Sequence, residues 1–149
     1  MATVTLAERQ ATVQWNGSLR EGSGTLDAGS GALHDLAVTW ASRTEQSDGK
    51  TSPEELLASA HAACYAMALT NTLAQAGKPA EQVQVTATCT LARTDAGLKV
   101  ATMILDVRGH VAGITAEQFA ELAQKAEQGC PVSNALRNNV EISVNAQLV

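Results

Sequence analysis

Aromatic side chains are scarce: one Phe, one Tyr and two Trp in 149 residues. Modules that hold single-stranded nucleic acid stack bases on aromatic platforms, so that class is excluded. Basic residues are few as well. Ten Lys and Arg stand against 15 Asp and Glu, a net charge of −5 with no basic cluster, which gives a phosphate backbone no footing. No apolar run approaches the ~18 residues of a membrane span. The start, Met1-Ala2-Thr3-Val4-Thr5-Leu6-Ala7-Glu8, lacks the basic and apolar regions of a signal peptide. A cytoplasmic protein with no nucleic-acid or membrane partner is expected. Three cysteines is an odd number, and a reducing compartment disfavours static disulfides, so any bond these thiols form should be transient and catalytic. No C-x-x-C or H-x-x-x-H pair exists to anchor a metal.

What is present is a core. Residues of apolar type make up 45% of the chain, enough for one domain over residues 1–149 without staples. Short strands are expected at Ala11–Trp15, Gly22–Leu26 and Leu36–Trp40, with a polar loop from Arg43 to Lys50. A long helix follows. Ser52 is a good N-cap, Pro53 suits the first helical position, Glu55 completes a capping box, and Gly77 and Pro79 end it. Its expected apolar face is Leu56, Ala60, Ala63, Met67 and Leu73. Alternating runs at Val83–Arg93 and Leu98–His110 predict a hairpin, with Val83, Val85, Ala87, Cys89 and Leu91 on one face of the first strand. On the second, the inward set is Val100, Met103 or Ile104, and Val107. A helix from the Thr115 cap to Gln128, a short helix over Pro131–Leu136 and a closing strand at Val140–Leu148 complete an α+β chain. The acidic stretches Glu45 to Asp48 and Glu117 to Glu127 read as exposed faces.

Two thiols carry the chemistry. Cys64 lies in mid-helix, where the helix dipole helps little, so a cation must approach it to keep a thiolate. His61, on the same face, reads more simply as a packed or hydrogen-bonded histidine. Arginine is the better partner, and Arg20 and Arg43 are the nearest in sequence. A carboxylate would orient that arginine, and Glu54 is the candidate. Glu54 stands about 15 Å along the helix from Cys64, a span that implies a second copy of the chain and a symmetric dimer. Cys130, at the start of the short helix, is the natural resolving thiol. A hydroperoxide would oxidise Cys64 to a sulfenic acid, Cys130 would condense with it, and an external dithiol would reduce the disulfide. Met67 and Leu57 would favour an organic peroxide. Cys89 reads as strand packing.

The segment Thr51-Ser52-Pro53-Glu54-Glu55-Leu56-Leu57-Ala58-Ser59-Ala60-His61-Ala62-Ala63-Cys64, with Cys130-Pro131-Val132-Ser133 further on, strongly resembles the osmotically inducible protein C and organic hydroperoxide resistance family (OsmC/Ohr), the OsmC branch above all. The likeness covers nearly the whole chain, Trp15-Asn16-Gly17 included. It implies a thiol-dependent hydroperoxide reductase that acts in oxidative or osmotic stress defence. It also implies an intertwined α+β homodimer with antiparallel sheets, a long central helix carrying the peroxidatic cysteine, sites at the subunit interface, and no metal or flavin. Under the resemblance Cys64 is peroxidatic, Cys130 resolving, and Glu54 holds the active-site arginine. Arg43 matches the OsmC pattern and Arg20 the Ohr one. The implied reductant is a lipoyl-type dithiol. The competing readings are a non-catalytic dimer that binds apolar ligands and a metal-binding module in which His61 and Cys64 share a helical face and Cys130, His34 or His110 completes the site.

Overall fold

The computed structural model describes residues 1–149, which divide into two compact units, Met1–Pro53 and Glu54–Val149. In the first unit, strands β1 (Ala11–Asn16), β2 (Ser23–Ala28) and β3 (Leu36–Val38) form an antiparallel sheet in the order β1-β2-β3. Gly22 closes the β1–β2 turn, where an added Cβ would lie 2.3 Å from the Ser18 carbonyl oxygen. Leu26 is buried here, while Val13, Trp15, Leu19 and Leu33 stay exposed.

Residues 40–44 are helical, against the expected strand end and loop. Helix α1 (Trp40–Thr44) starts at a capping box: the Thr39 hydroxyl accepts from the Ser42 N–H, and the Ser42 hydroxyl accepts from the Thr39 N–H. Arg43 therefore sits in the last turn of a helix. Trp40 disguised this start, because an aromatic after Val38 reads as continued strand.

The second unit is built on α2 (Pro53–Gln75), 23 residues and about 35 Å long. It ends in a Schellman motif: Gly77 has φ +72°, its N–H donates to the Ala74 carbonyl, and the Lys78 N–H donates to the Leu73 carbonyl. The buried face is Glu54, His61, Tyr65, Leu69 and Leu73. This corrects the sequence reading, which placed Ala60, Ala63 and Met67 inward; all three are exposed, Met67 to 69%. Alanines surround this helix, so polarity contrast between its sides is low, and the side that packs carries a His and a Tyr that a hydropathy pattern scores as polar.

Strands β4 (Gln82–Thr94) and β5 (Gly97–His110) form the expected hairpin. Strand β6 (Glu141–Leu148) lies beside β5 and runs parallel with it, so the antiparallel expectation holds for the first sheet and this hairpin but not for β6. The inward set of β4 is as expected. On β5 a bulge opposite Thr90 and Leu91 shifts the alternation: Val100 pairs with Leu91, and Met103, Leu105 and Val107 then follow on the same inner face. Helix α3 (Ala116–Gly129) has the Thr115 cap, reciprocated by Gln118, and packs Phe119, Ala123 and Ala126 inward. Phe119 lies so close to Gly109 that a Cβ there would meet Cζ at 2.5 Å, which leaves room for glycine alone. The core joins Tyr65, Leu69 and Leu73 with Met103, Leu105, Val107, Phe119 and Ala123. No helix is long and apolar enough to cross a membrane.

Candidate active site

The short helix α4 (Pro131–Leu136) brings the two thiols together. Cys130 is both the last cap of α3 and the first cap of α4, extended at φ −76° and ψ 118°, with Pro131 fixing the start of the new helix. That elbow points a fully buried Cys130 sulfur at the partly exposed Cys64 on α2, and the Cys130 thiol donates to the Cys64 Sγ at 3.3 Å. The Val132 backbone N–H lies near enough to the Cys64 sulfur to favour its ionised form. Sequence reasoning credited the amides of this helix start to Cys130; the fold aims one of them at Cys64.

Burial pushes the Cys64 thiol above its ordinary value; the Val132 donor pulls it down and the Cys130 thiol adds to the rise. In this chain the sulfur is thus held as a thiol, and the ionised form expected from sequence requires a cation brought to it. Cys89 sits on the inner face of β4, its thiol raised by burial and then by the Glu54 carboxylate. Glu54 is in the first turn of α2 and 7% exposed. Arg43 and Arg20 belong to the first unit, Arg43 on α1 and Arg20 in the exposed turn between β1 and β2.

Five polar residues around the elbow stand outside the catalytic set expected from sequence: His61, Ser133, Glu127, Arg137 and Tyr65. His61 Nε2 lies 2.7 Å from Ser133 Oγ, with both residues fully buried. Burial lowers the His61 pKa, opposed by the Glu127 carboxylate. Glu127, read from sequence as part of an exposed acidic face, is 5% exposed. Its Oε2 accepts from Arg137 Nη1 at 3.2 Å, and its Oε1 lies 3.0 Å from Arg137 Nη2 as an ion contact without a hydrogen bond, so one charge-assisted bond and an ion pair cross the elbow. Burial, then Glu127 and Cys130, push the Tyr65 phenol up, and its hydroxyl donates to the Ala123 carbonyl at 2.8 Å.

A pH dependence of stability follows. A histidine whose folded pKa is depressed gives its full stability above the unfolded value of 6.5 and loses it as pH falls, because the unfolded chain takes up the proton first. The thermal midpoint should drop below that pH, and replacing His61 and Ser133 together with Leu and Ala should flatten the drop in a melting series.

The family model described as OsmC-like protein matches residues 46–145. The chain is 37% identical over 140 residues to the peroxiredoxin OsmC of Escherichia coli K12, covering 94% of this chain and 96% of that one.

The chain belongs to the OsmC-like family.

It is also 30% identical over 112 residues to the organic hydroperoxide resistance protein OhrA of Bacillus subtilis, covering 74% of this chain and 77% of that one. The crystal structure of an organic hydroperoxide resistance protein from Elizabethkingia anophelis matches with a TM-score of 0.77 at 26% identity, covering 99% of this chain and all of that one. For this OsmC-like chain, Ser133 had a usable signal, its place one helical turn after Cys130. Glu127 and Arg137 had none, because their pairing crosses a break at Gly129-Cys130-Pro131 that no helical spacing rule spans.

Proposed function

We propose that this OsmC-like chain is a thiol-dependent peroxidase that reduces organic hydroperoxides to alcohols. The observation that carries this is the 3.3 Å approach of Cys130 to Cys64, between residues 66 apart in sequence. Free thiols at that spacing need to close by only about 1.3 Å to bond. The relatives' names, peroxiredoxin and organic hydroperoxide resistance protein, agree with such chemistry.

The Cys64 thiolate attacks the distal oxygen of the hydroperoxide. An S–O bond forms, the O–O bond breaks, sulfur is oxidised by two electrons, and the alkoxide leaves to take a proton. The Cys130 sulfur then displaces water from the sulfenic acid and closes the Cys64–Cys130 disulfide. A dithiol of lipoyl type, itself oxidised to a disulfide, restores both thiols by exchange. A cytoplasmic setting keeps that disulfide transient.

An arginine completes the site by favouring the thiolate and steadying the leaving alkoxide. Arg43 is the first choice and Arg20 the second, with Glu54 as the orienting carboxylate. A carboxylate as buried as Glu54 calls for a charged or hydrogen-bonding partner, which suits that role. The working form is a homodimer, in which residues 1–149 act as one OsmC-like domain. Its support is the apolar surface this chain leaves open: Met67 and Ala63 on α2, and Val13, Trp15 and Leu19 in the first unit.

The test is mass mapping without reductant after one equivalent of cumene hydroperoxide. Cys64 joined to Cys130 is the expected product; Cys64 joined to Cys89 would refute the assignment. Arg43→Ala should lower kcat/KM by about 10²-fold, the scale of one lost oxyanion donor, with Arg20→Ala causing a smaller loss. The reverse order in the same peroxide assay would move the role to Arg20.

A further inference from the structure

The resolving thiol rides on a helix too short to hold itself. Helix α4 has six residues, well below what is stable alone, so its placement is borrowed from its neighbours. At its far end Arg137 ties it back to Glu127 on α3. That tie leaves open how α4 meets α2, the helix that carries Cys64. His61 and Ser133 supply this second tie. His61 stands three residues before Cys64, and Ser133 three residues after Cys130. Their hydrogen bond therefore runs beside the thiol pair, one turn away on each helix, sealed from water and only 2.7 Å long.

We propose that His61 and Ser133 form a positioning pair, whose buried hydrogen bond holds the first turn of α4 so that the Val132 N–H and the Cys130 sulfur both face the Cys64 sulfur. The functional consequence rests on the peroxidase reading; the effect on Cys64 itself does not. With the pair intact, the sulfenic acid meets a resolving thiol already in place. The S–S bond forms as the sulfenic S–O and the Cys130 S–H bonds break and water departs. Without the pair α4 can swing at the Cys130 elbow, so the sulfurs separate and the backbone donor leaves Cys64. A misplacement of about 1 Å in a reacting pair can slow its reaction up to about 100-fold.

Two variants in a Cys89→Ser background test this: Ser133→Ala, and the double variant His61→Leu with Ser133→Ala. The single variant strands the imidazole and loses stability; the double removes both polar groups and regains the thermal midpoint. The first measurement is the alkylation rate of Cys64 by iodoacetamide against pH, which needs no peroxide. The second is the lifetime of the sulfenic acid after one equivalent of cumene hydroperoxide, followed with a 1,3-diketone trap. Both variants should slow disulfide closure at least about tenfold and shift the alkylation profile away from that of wild type, because the Val132 donor that lowers the Cys64 pKa and the Cys130 thiol that raises it both move. A folded double variant with wild-type profile and closure would overturn the proposal and leave the bond a purely structural one. Should the alkylation profile move while wild-type protein consumes no hydroperoxide, the positioning pair stands and the peroxidase reading falls. Should wild type turn over while the double variant matches it in both measurements, the positioning pair alone falls.

Discussion

Cys64→Ser is expected to abolish hydroperoxide turnover, a loss of roughly 10³-fold or more that takes the rate to the uncatalysed floor. A serine hydroxyl is neither ionised nor polarisable enough to accept oxygen, and no other thiol can replace the lost one. Cys130 is fully buried, and Cys89 faces the sheet interior with its thiol pushed up by burial. Cys130→Ser should behave differently. Its first turnover survives, because oxygen transfer needs only Cys64, but the sulfenic acid then persists and steady turnover fails. Peroxide consumption over one and over many equivalents, with cumene hydroperoxide and a dithiol, separates the two variants. Steady turnover by Cys64→Ser would end the proposed mechanism; equal failure of both variants in the first turnover would assign Cys130 to oxygen transfer as well.

The second large effect concerns stability. Arg137→Ala should cost about 2–3 kcal/mol, because it removes the one cation beside the buried Glu127 carboxylate and leaves it only the Gln128 amide as a side-chain donor. The value sits below that of a sealed pair because the Arg137 side chain is 32% exposed and water reaches that end. For a chain of this size the loss corresponds to a fall of roughly 5–10 °C in Tm. Glu127→Gln keeps a hydrogen-bonding group in place and should cost less. Urea unfolding of the three proteins decides the matter: a loss within about 0.5 kcal/mol for Arg137→Ala would make the pair no better than a surface contact.

The site was legible in unequal parts. Cys64 and Cys130 stood out because each lies in a short motif with a reason for its residues, and the structure brings their sulfurs together. Ser133 was visible only as a member of Cys-Pro-Val-Ser, since a small hydroxyl residue in a first helical turn usually caps or faces water. Glu127 was misread, because an acid near the end of an amphipathic helix is exposed unless a cation returns to it from beyond the helix. Arg137 does so after the chain has turned through Gly129 and Cys130.

The fold divides along the same line. Caps and turns are local, so the Thr115 start, the Gly77 stop and the β4–β5 hairpin could be read from neighbouring residues. The bulge that carries β5 from Val100 to Met103 left its mark as an ambiguity between Met103 and Ile104. The pairing partner across the sheet resolves it. That β6 runs parallel with β5 depends on the path taken through α3 and α4, which no residue of β6 records. The buried side of α2 was settled by what packs on it, Met103 to Val107 and Phe119, because alanines made its sides nearly equal in hydropathy. The sequence alone determined most of the elements, the Thr115 cap, the Gly77 stop and the two thiols, since these depend on residues within a few positions of one another, whereas helix α1 and its Thr39 cap escaped it. Tertiary structure alone decided which helix side is buried, which acid is paired and which sulfur receives the Val132 amide, since each is a contact between segments far apart along the chain.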